Sequence, residues 1–590
     1  MKQFLKYLIV TISGTFLGLC AFVLLLVGAV AAIFTFGVEK SVSVEAHSVL
    51  LIRLQEPIVE VASFDVLAEV SPFSASSSTL ALRSIVQAIE GAAADPNIDA
   101  IALYCDAIPA SYATVAEIRQ ALLNFKQSGK DIVSYGDVLS QKGYALASTA
   151  NTIAMNPEGL VEWNGIFSQF VSFKNLLAKI GLRPVVFRAG KYKSFAENLT
   201  QEKMSAENRL QIQEYVQQVW QNYTQTIENL RPAKQSLAGI ADSLLVWNAH
   251  TALEYGMVDT LCYYNDFLQI LAQKTGKKPT KIPFVSLADY IQYNETVEHK
   301  ESPNKICVIV AEGDIVLGRS SRGNIGSETL ARHIRAARND SAVKAIVLRI
   351  NSGGGSALAS EVIWQEMNLA RQAKPLIVSM GNAAASGAYY VAAPAHVIVA
   401  NAATLTGSIG VFGVSLNTEE LLRNIGVSVD SVKSSRFADF GVPTRTPSDY
   451  ETRIIEKSID NTYETFKSRV AAGRNMTAAQ VEEIAQGRIW SGIAAQKIGL
   501  IDTLGGVQTA IRIAAERAQL GLNYELRFVP RQLSPIEQLM ENFNTSTASA
   551  LSKEIKEITG VQGTQLLHIW QQLPREQGLY MKLPYILNVE

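Results

Sequence analysis

One offset recurs along this chain and restricts its fold more than any other feature. Ile101-Ala102-Leu103-Tyr104 answers to Ile346-Val347-Leu348-Arg349, and Ile132-Val133-Ser134-Tyr135-Gly136 to Ile377-Val378-Ser379-Met380-Gly381. Ile153, Asn156 and Phe167 answer in the same way to Ile398, Asn401 and Phe412, every pair standing 245 positions apart. Further on, Trp247 to Asp259 matches Trp490 to Asp502 at a separation of 243. A repeat sustained over such a length predicts two copies of one domain. We place them at residues 47–273 and 305–525, joined by a lysine-rich, proline-containing linker at 274–304 and followed by a tail at 526–590 whose role the sequence does not reveal.

Within each copy, short apolar runs alternate with helical patterns. In the second, Ile306 to Val310, Ala345 to Ile350 and Leu376 to Ser379 read as strands, and Glu328 to Arg338 and Ser360 to Ala373 as helices. Continuous Val/Ile/Leu runs alternating with helices predict an α/β fold built of parallel βαβ units.

The chain has 590 residues, too many for one small core, with 53 basic and 54 acidic side chains and no basic stripe, which argues against nucleic acid as a partner. Its four cysteines, Cys20, Cys105, Cys262 and Cys307, show no metal-ligand spacing, and no metal or cofactor is expected. Lys2 and Lys6 precede an uncharged run from Tyr7 to Val38. That run is longer than the roughly 20 residues a transmembrane helix needs, and its basic flank places the N-terminus in the cytoplasm and the domains outside. Residues 1–46 thus read as a cytoplasmic stub and anchor, although the small residues near Ala29 to Ala32 leave a cleaved signal sequence open.

Three loops of the second copy carry candidate chemistry. Asn351-Ser352-Gly353-Gly354-Gly355-Ser356 offers backbone N–H groups unobstructed by side chains, suited to an oxyanion, a phosphate or simply a tight turn. Ala383-Ala384-Ala385-Ser386-Gly387 and Thr406-Gly407-Ser408-Ile409-Gly410 each present a serine among small residues, and either serine also suits a helix cap or a turn. Ser408 lacks the Gly-x-Ser-x-Gly elbow, because position 406 is Thr.

Together, Asn-Ser-x-Gly-Gly-Ser, Ala-Ala-Ser-Gly-x-Tyr-Tyr and Leu-Thr-Gly-Ser-Ile-Gly-Val-Phe-Gly-Val resemble the signal peptide peptidase A family (peptidase family S49) in its long, tandem, protease IV form. The resemblance spans the chain from the anchor to about residue 525, with one departure, Gly353 in place of the family's proline. It implies tandem crotonase/Clp protease-like domains, a serine endopeptidase acting on hydrophobic peptides such as cleaved signal peptides, and a homo-tetramer in the bacterial inner membrane. It also implies Ser408 as nucleophile. Clp protease, by contrast, takes its nucleophile from a loop like that of Ser386.

A serine needs a base, and none of the six histidines adjoins the three loops in a recognisable pattern. Short family members carry a lysine downstream of the nucleophile, but Ala438 fills that position here. Its counterpart 245 residues earlier is Lys193, in Tyr192-Lys193-Ser194, while the counterpart of Ser408 is Trp163. Each copy lacks what the other holds, so the expected dyad joins Lys193 of the first copy to Ser408 of the second. Lys191 is the near rival, since on an extended segment both lysines share a face. The oxyanion donors are expected from the backbone of Gly354, Gly355 and Ile409. Two other readings stay open: a crotonase-like acyl-CoA-binding enzyme, and a non-enzymatic membrane scaffold.

Overall fold

The computed structural model describes residues 43–61, 79–296, 302–321, 323–530 and 580–582, with isolated positions before residue 22. The apolar run Tyr7 to Val38, and with it the expected anchor, lies almost wholly outside the described residues. Among the described residues no helix is long and apolar enough to cross a membrane.

Each copy is built on a parallel sheet. The first has the order Thr260–Leu261, Thr152–Val161, Asp131–Leu139, Ile98–Tyr104, Ser48–Arg53, Phe284–Ser286. The second has the order Ile489–Ser491, Leu405–Gly407, Leu376–Ala385, Val343–Ser352, Lys305–Glu312, Glu525–Val529, with Val397–Ala400 beside Leu376–Ala385. All the ladders are parallel except that between Leu405–Gly407 and Ile489–Ser491. Helices cover both sheets with the periodic faces their sequences predict: Ser327–Asn339 buries Leu330, Ala331, Ile334 and Ala337.

Two boundaries differ from the expectation. Phe284–Ser286, inside the segment read as a linker, pairs with Ser48–Arg53 and completes the first sheet, and helix Leu287–Thr296 follows it. Glu525–Val529 does the same for the second sheet against Lys305–Glu312, so that domain runs beyond residue 525. Strand Leu376–Ala385 is also longer than its apolar run: after a register break near Ser352, Ala383, Ala384 and Ala385 pair with Leu405, Thr406 and Gly407.

A third sheet belongs to neither copy alone. Its order is Asn324–Gly326, Asp314–Val316, Gly354–Ser356, Tyr580–Lys582, Val411–Asn417, Arg183–Ala189. The last pair is antiparallel and joins the two copies along its length, from Val411 opposite Ala189 to Asn417 opposite Arg183. The copies are also locked by a buried ion cluster. Arg349, 2% exposed, donates to Glu60 Oε1 at 2.6 Å and Glu117 Oε1 at 2.7 Å, and Glu117 further accepts the Val507 N–H at 2.9 Å.

Candidate active site

The antiparallel pairing of Arg183–Ala189 with Val411–Asn417 accounts for the site. Because Ala189 stands opposite Val411, the chain leaving the first strand runs alongside the chain entering the second. Lys193 comes four residues after Ala189 and Ser408 three residues before Val411. The two copies therefore deliver these groups to one point.

Lys193 reaches that point through a turn in which its N–H donates to the Gly190 carbonyl at 3.2 Å. Gly190 has φ 102°, and a Cβ there would lie 2.5 Å from the Gln486 carbonyl oxygen. The facing loop of the second copy fits as tightly: a Cβ on Gly487 (φ 78°) would lie 2.6 Å from the Lys193 backbone nitrogen. Tyr192 donates its N–H to Gln486 O at 2.9 Å, and Gln211 Nε2 donates to Tyr192 O at 3.1 Å. The turn also separates the two lysines. Lys193 is buried, whereas Lys191 is exposed and stacks over the Tyr192 ring, so they do not share a face as an extended segment would require.

At the tip of Lys193, Nζ lies 2.7 Å from Ser386 Oγ, 2.9 Å from Ser408 Oγ and 2.9 Å from the Ser408 carbonyl oxygen. Neither serine has any solvent exposure. Desolvation alone drives the Lys193 pKa well below that of a free lysine, and no carboxylate opposes it. A neutral amine has two N–H groups and one lone pair. The Ser408 carbonyl can only accept, so it takes one N–H; the other N–H and the lone pair are left for the two hydroxyls.

The serines differ in their backbones. Ser386 sits where strand Leu376–Ala385 turns into helix Gly387–Ala392, with φ 56° and ψ −118°, and its N–H donates to Gly407 O at 2.8 Å. Such a conformation is strained for any residue with a Cβ. Gly387, next in the chain, opens the helix, so its N–H has no intrahelical acceptor. Ser408 also has positive φ, 51°, but its N–H donates to Arg488 O at 2.7 Å, which ties it to the loop that packs on Lys193.

Of the expected oxyanion residues, Gly354 and Gly355 form a short strand of the third sheet, and the Gly354 N–H donates to Ser352 Oγ at 3.1 Å. Ile409 is buried, and its carbonyl accepts the Gly487 N–H at 2.7 Å. In the first copy the corresponding positions are filled. Gln141 stands for Ser386 and bonds Tyr112 and Gly165, while Trp163 stands for Ser408 and packs against Tyr144, Trp220 and Tyr223. Ala438 is exposed on the surface of the second copy. In the sequence Ser386 stood only as a rival to Ser408, and the loop at Gln486 and Gly487 carried no signal of its own. The replacement of Ser386 by Gln141 in the degenerate copy was the available signal.

A buried lysine that meets two serines on a parallel α/β frame is an arrangement suited to serine-peptidase chemistry. Comparison with known proteins fixes the family. The sequence model of peptidase family S49 matches residues 124–278 and 368–521, and that of Clp protease matches residues 298–408. Protease 4 of Salmonella typhi is 37% identical over 497 residues, covering 82% of this chain and 80% of its own. A chloroplastic serine protease, SPPA, of Arabidopsis thaliana is 31% identical and covers 85% and 76% respectively. Among solved structures, a mutant of the membrane-bound stomatin-specific protease 1510-N aligns with TM-score 0.26 and 18% identity over 39% of this chain and 98% of its own. The chain belongs to peptidase family S49 and is a serine peptidase with a duplicated S49 domain, the second copy of which also resembles Clp protease.

Proposed function

We propose that this protein is a Ser-Lys endopeptidase in which Ser386 is the nucleophile, Lys193 the general base, and Ser408 the residue that holds Lys193 in place. This divides the work differently from the resemblance, which gave the nucleophile to Ser408. The observation that carries it is the Ser386 backbone: φ 56° and ψ −118° at a strand-to-helix turn, beside a lysine nitrogen 2.7 Å away. A strained elbow of this kind projects a nucleophile and places the following N–H at the oxyanion. Ser408 engages Nζ through both its carbonyl and its hydroxyl, an arrangement suited to orienting an amine.

In the reaction, the Ser386 hydroxyl donates its proton to the neutral Nζ as Oγ attacks the peptide carbonyl. The oxyanion is held by the Gly387 N–H and a second donor from the Gly354–Gly355 stretch. The ammonium returns the proton to the leaving amine, giving an acyl-enzyme, and Lys193 then deprotonates the water that hydrolyses it. Ile409, which does not follow the nucleophile in this scheme, has no part in the oxyanion hole.

Hydrophobic peptides, remnant signal peptides among them, are the proposed substrates. The apolar cluster of Phe173, Leu177, Val186, Phe195, Phe412 and Val414, which packs on the strands leading to and from the site, supports this. The uncharged run Tyr7 to Val38 supports a single anchor in the bacterial inner membrane, with the N-terminus cytoplasmic and the domains on the opposite side. Exposed Ile425, Val427, Val429 and Val432 offer a surface for further copies, in line with a homo-tetramer. Hydrolysis of a quenched apolar peptide tests the core of the proposal. Ser386→Ala and Lys193→Met should each lower kcat by about 10⁴ or more, Ser408→Ala by about 10–10². Full activity in Ser386→Ala would refute the assignment.

A further inference from the structure

The third sheet is continuous only through three residues near the C-terminus. Tyr580–Lys582 runs antiparallel to Gly354–Ser356, with Lys582 opposite Gly354, Met581 opposite Gly355 and Tyr580 opposite Ser356. On its other side Tyr580 stands opposite Phe412. Take this strand away and Gly354–Ser356 and Val411–Asn417 become the lips of a slot one strand wide. With neighbouring strands about 4.8 Å apart, the lips stand about 9.6 Å from each other. One lip is the glycine stretch from which an oxyanion donor is drawn; the other begins three residues after Ser408. A slot with unpaired backbone on both lips selects an extended peptide.

The glycine lip is built for this. A Cβ on Gly355 would lie 2.0 Å from the Ile315 carbonyl oxygen, so that strand can approach its neighbour only without a side chain. In the closed arrangement Ser386 and Ser408 are wholly buried and Lys193 is 1% exposed. A substrate carbonyl has no path to Ser386 Oγ unless something moves aside.

We propose that the C-terminal strand Tyr580–Lys582 is an internal occupant of the substrate slot: an extended peptide must displace it and take over its antiparallel pairing with Gly354–Ser356. The proposal rests on the assignment of the site given above. A three-residue strand makes few ladder bonds, and its hold comes from belonging to the same chain, which makes its pairing intramolecular. A peptide that pairs along more of Val411–Asn417 than the single position taken by Tyr580 wins the exchange. Occupancy by the tail raises the apparent KM in inverse proportion to the open fraction and leaves kcat unaltered.

Two variants test this: a chain ending at Gly578, and the full-length chain with Met581→Pro, which puts a residue without an N–H and with a fixed φ in the middle of the strand. Each is assayed for hydrolysis of a quenched apolar decapeptide and, in a Ser386→Ala background, for binding of the same peptide carrying a fluorophore. The expected result is a KM and a Kd lower by about tenfold, with kcat within about twofold. A synthetic peptide of residues 576–590 should inhibit the shortened enzyme competitively. Tighter peptide binding without any cleavage would uphold the slot and count against the peptidase assignment alone. An unchanged or higher KM and Kd in both variants, or no competition by the synthetic peptide, overturns the proposal.

Discussion

Burying an amine without a carboxylate beside it costs folding free energy, and Lys193 is such an amine. Its native pKa lies below the ordinary 10.5, so over the interval between the two values the unfolded chain binds the extra proton. Stability therefore rises with pH across that interval. Lys193→Met should accordingly melt at the same or a higher temperature than the parent at neutral pH, the gap closing as pH approaches 10.5, while hydrolysis is lost. A large fall in melting temperature at neutral pH would mean that the lysine supports the fold. The same shift sets the rate profile. The neutral amine is the working form, so kcat/KM should rise with pH through one ionisation well below 10.5, and a profile whose only rise falls near 10.5 would exclude Lys193 as the base. The sequence led to this residue through the repeat, because Ala438 and Trp163 mark what each copy has lost. It did not separate Ser386 from Ser408, since the difference lies in a backbone dihedral and in which groups face one amine, and neither leaves a trace in a string of small residues.

At the level of elements, the site depends on a turn and a loop fitting without room for a methyl group. Gly487 is the sharpest case: its φ is 78° and an added Cβ would collide with the Lys193 backbone. Gly487→Ala should lower kcat by about 10² or more with the far-ultraviolet circular dichroism spectrum intact, because about 1 Å of displacement already costs that much. Normal kcat in this variant would show that the loop does not position the lysine. The parallel sheets were legible because strands buried on both faces read as unbroken apolar runs. Phe284–Ser286 was missed because three residues flanked by lysine and proline carry no periodicity, and their strand character comes from pairing with Ser48–Arg53. Tyr580–Lys582 is defined in the same way by its neighbours. Lys191 and Lys193 were expected on one face because the segment read as extended; the bond from Lys193 N–H to Gly190 O bends it into a turn.

Across the whole molecule, the copies hold one site between them and one buried ion cluster. Arg349→Met leaves Glu60 and Glu117 facing each other without their cation, which should destabilise the chain by about 3–5 kcal/mol. That deficit should shrink toward acid pH, because burial already holds the Glu60 carboxyl above its usual range and losing the Arg349 cation lets it protonate more readily; chemical denaturation at two pH values measures it. A first fragment of residues 45–296 and a second of residues 302–590 should each be inactive alone, and mixing should restore hydrolysis only when the first carries Lys193. If Ser386 of the second copy is activated by Lys193 of the first, a fluorophosphonate probe reads that activation directly. Mass spectrometry of the labelled, intact chain should find the adduct on Ser386, leave Ser408 unmodified, and find no adduct in Lys193→Met. An adduct on Ser408, or labelling of Ser386 that persists at the same rate without Lys193, would contradict the account.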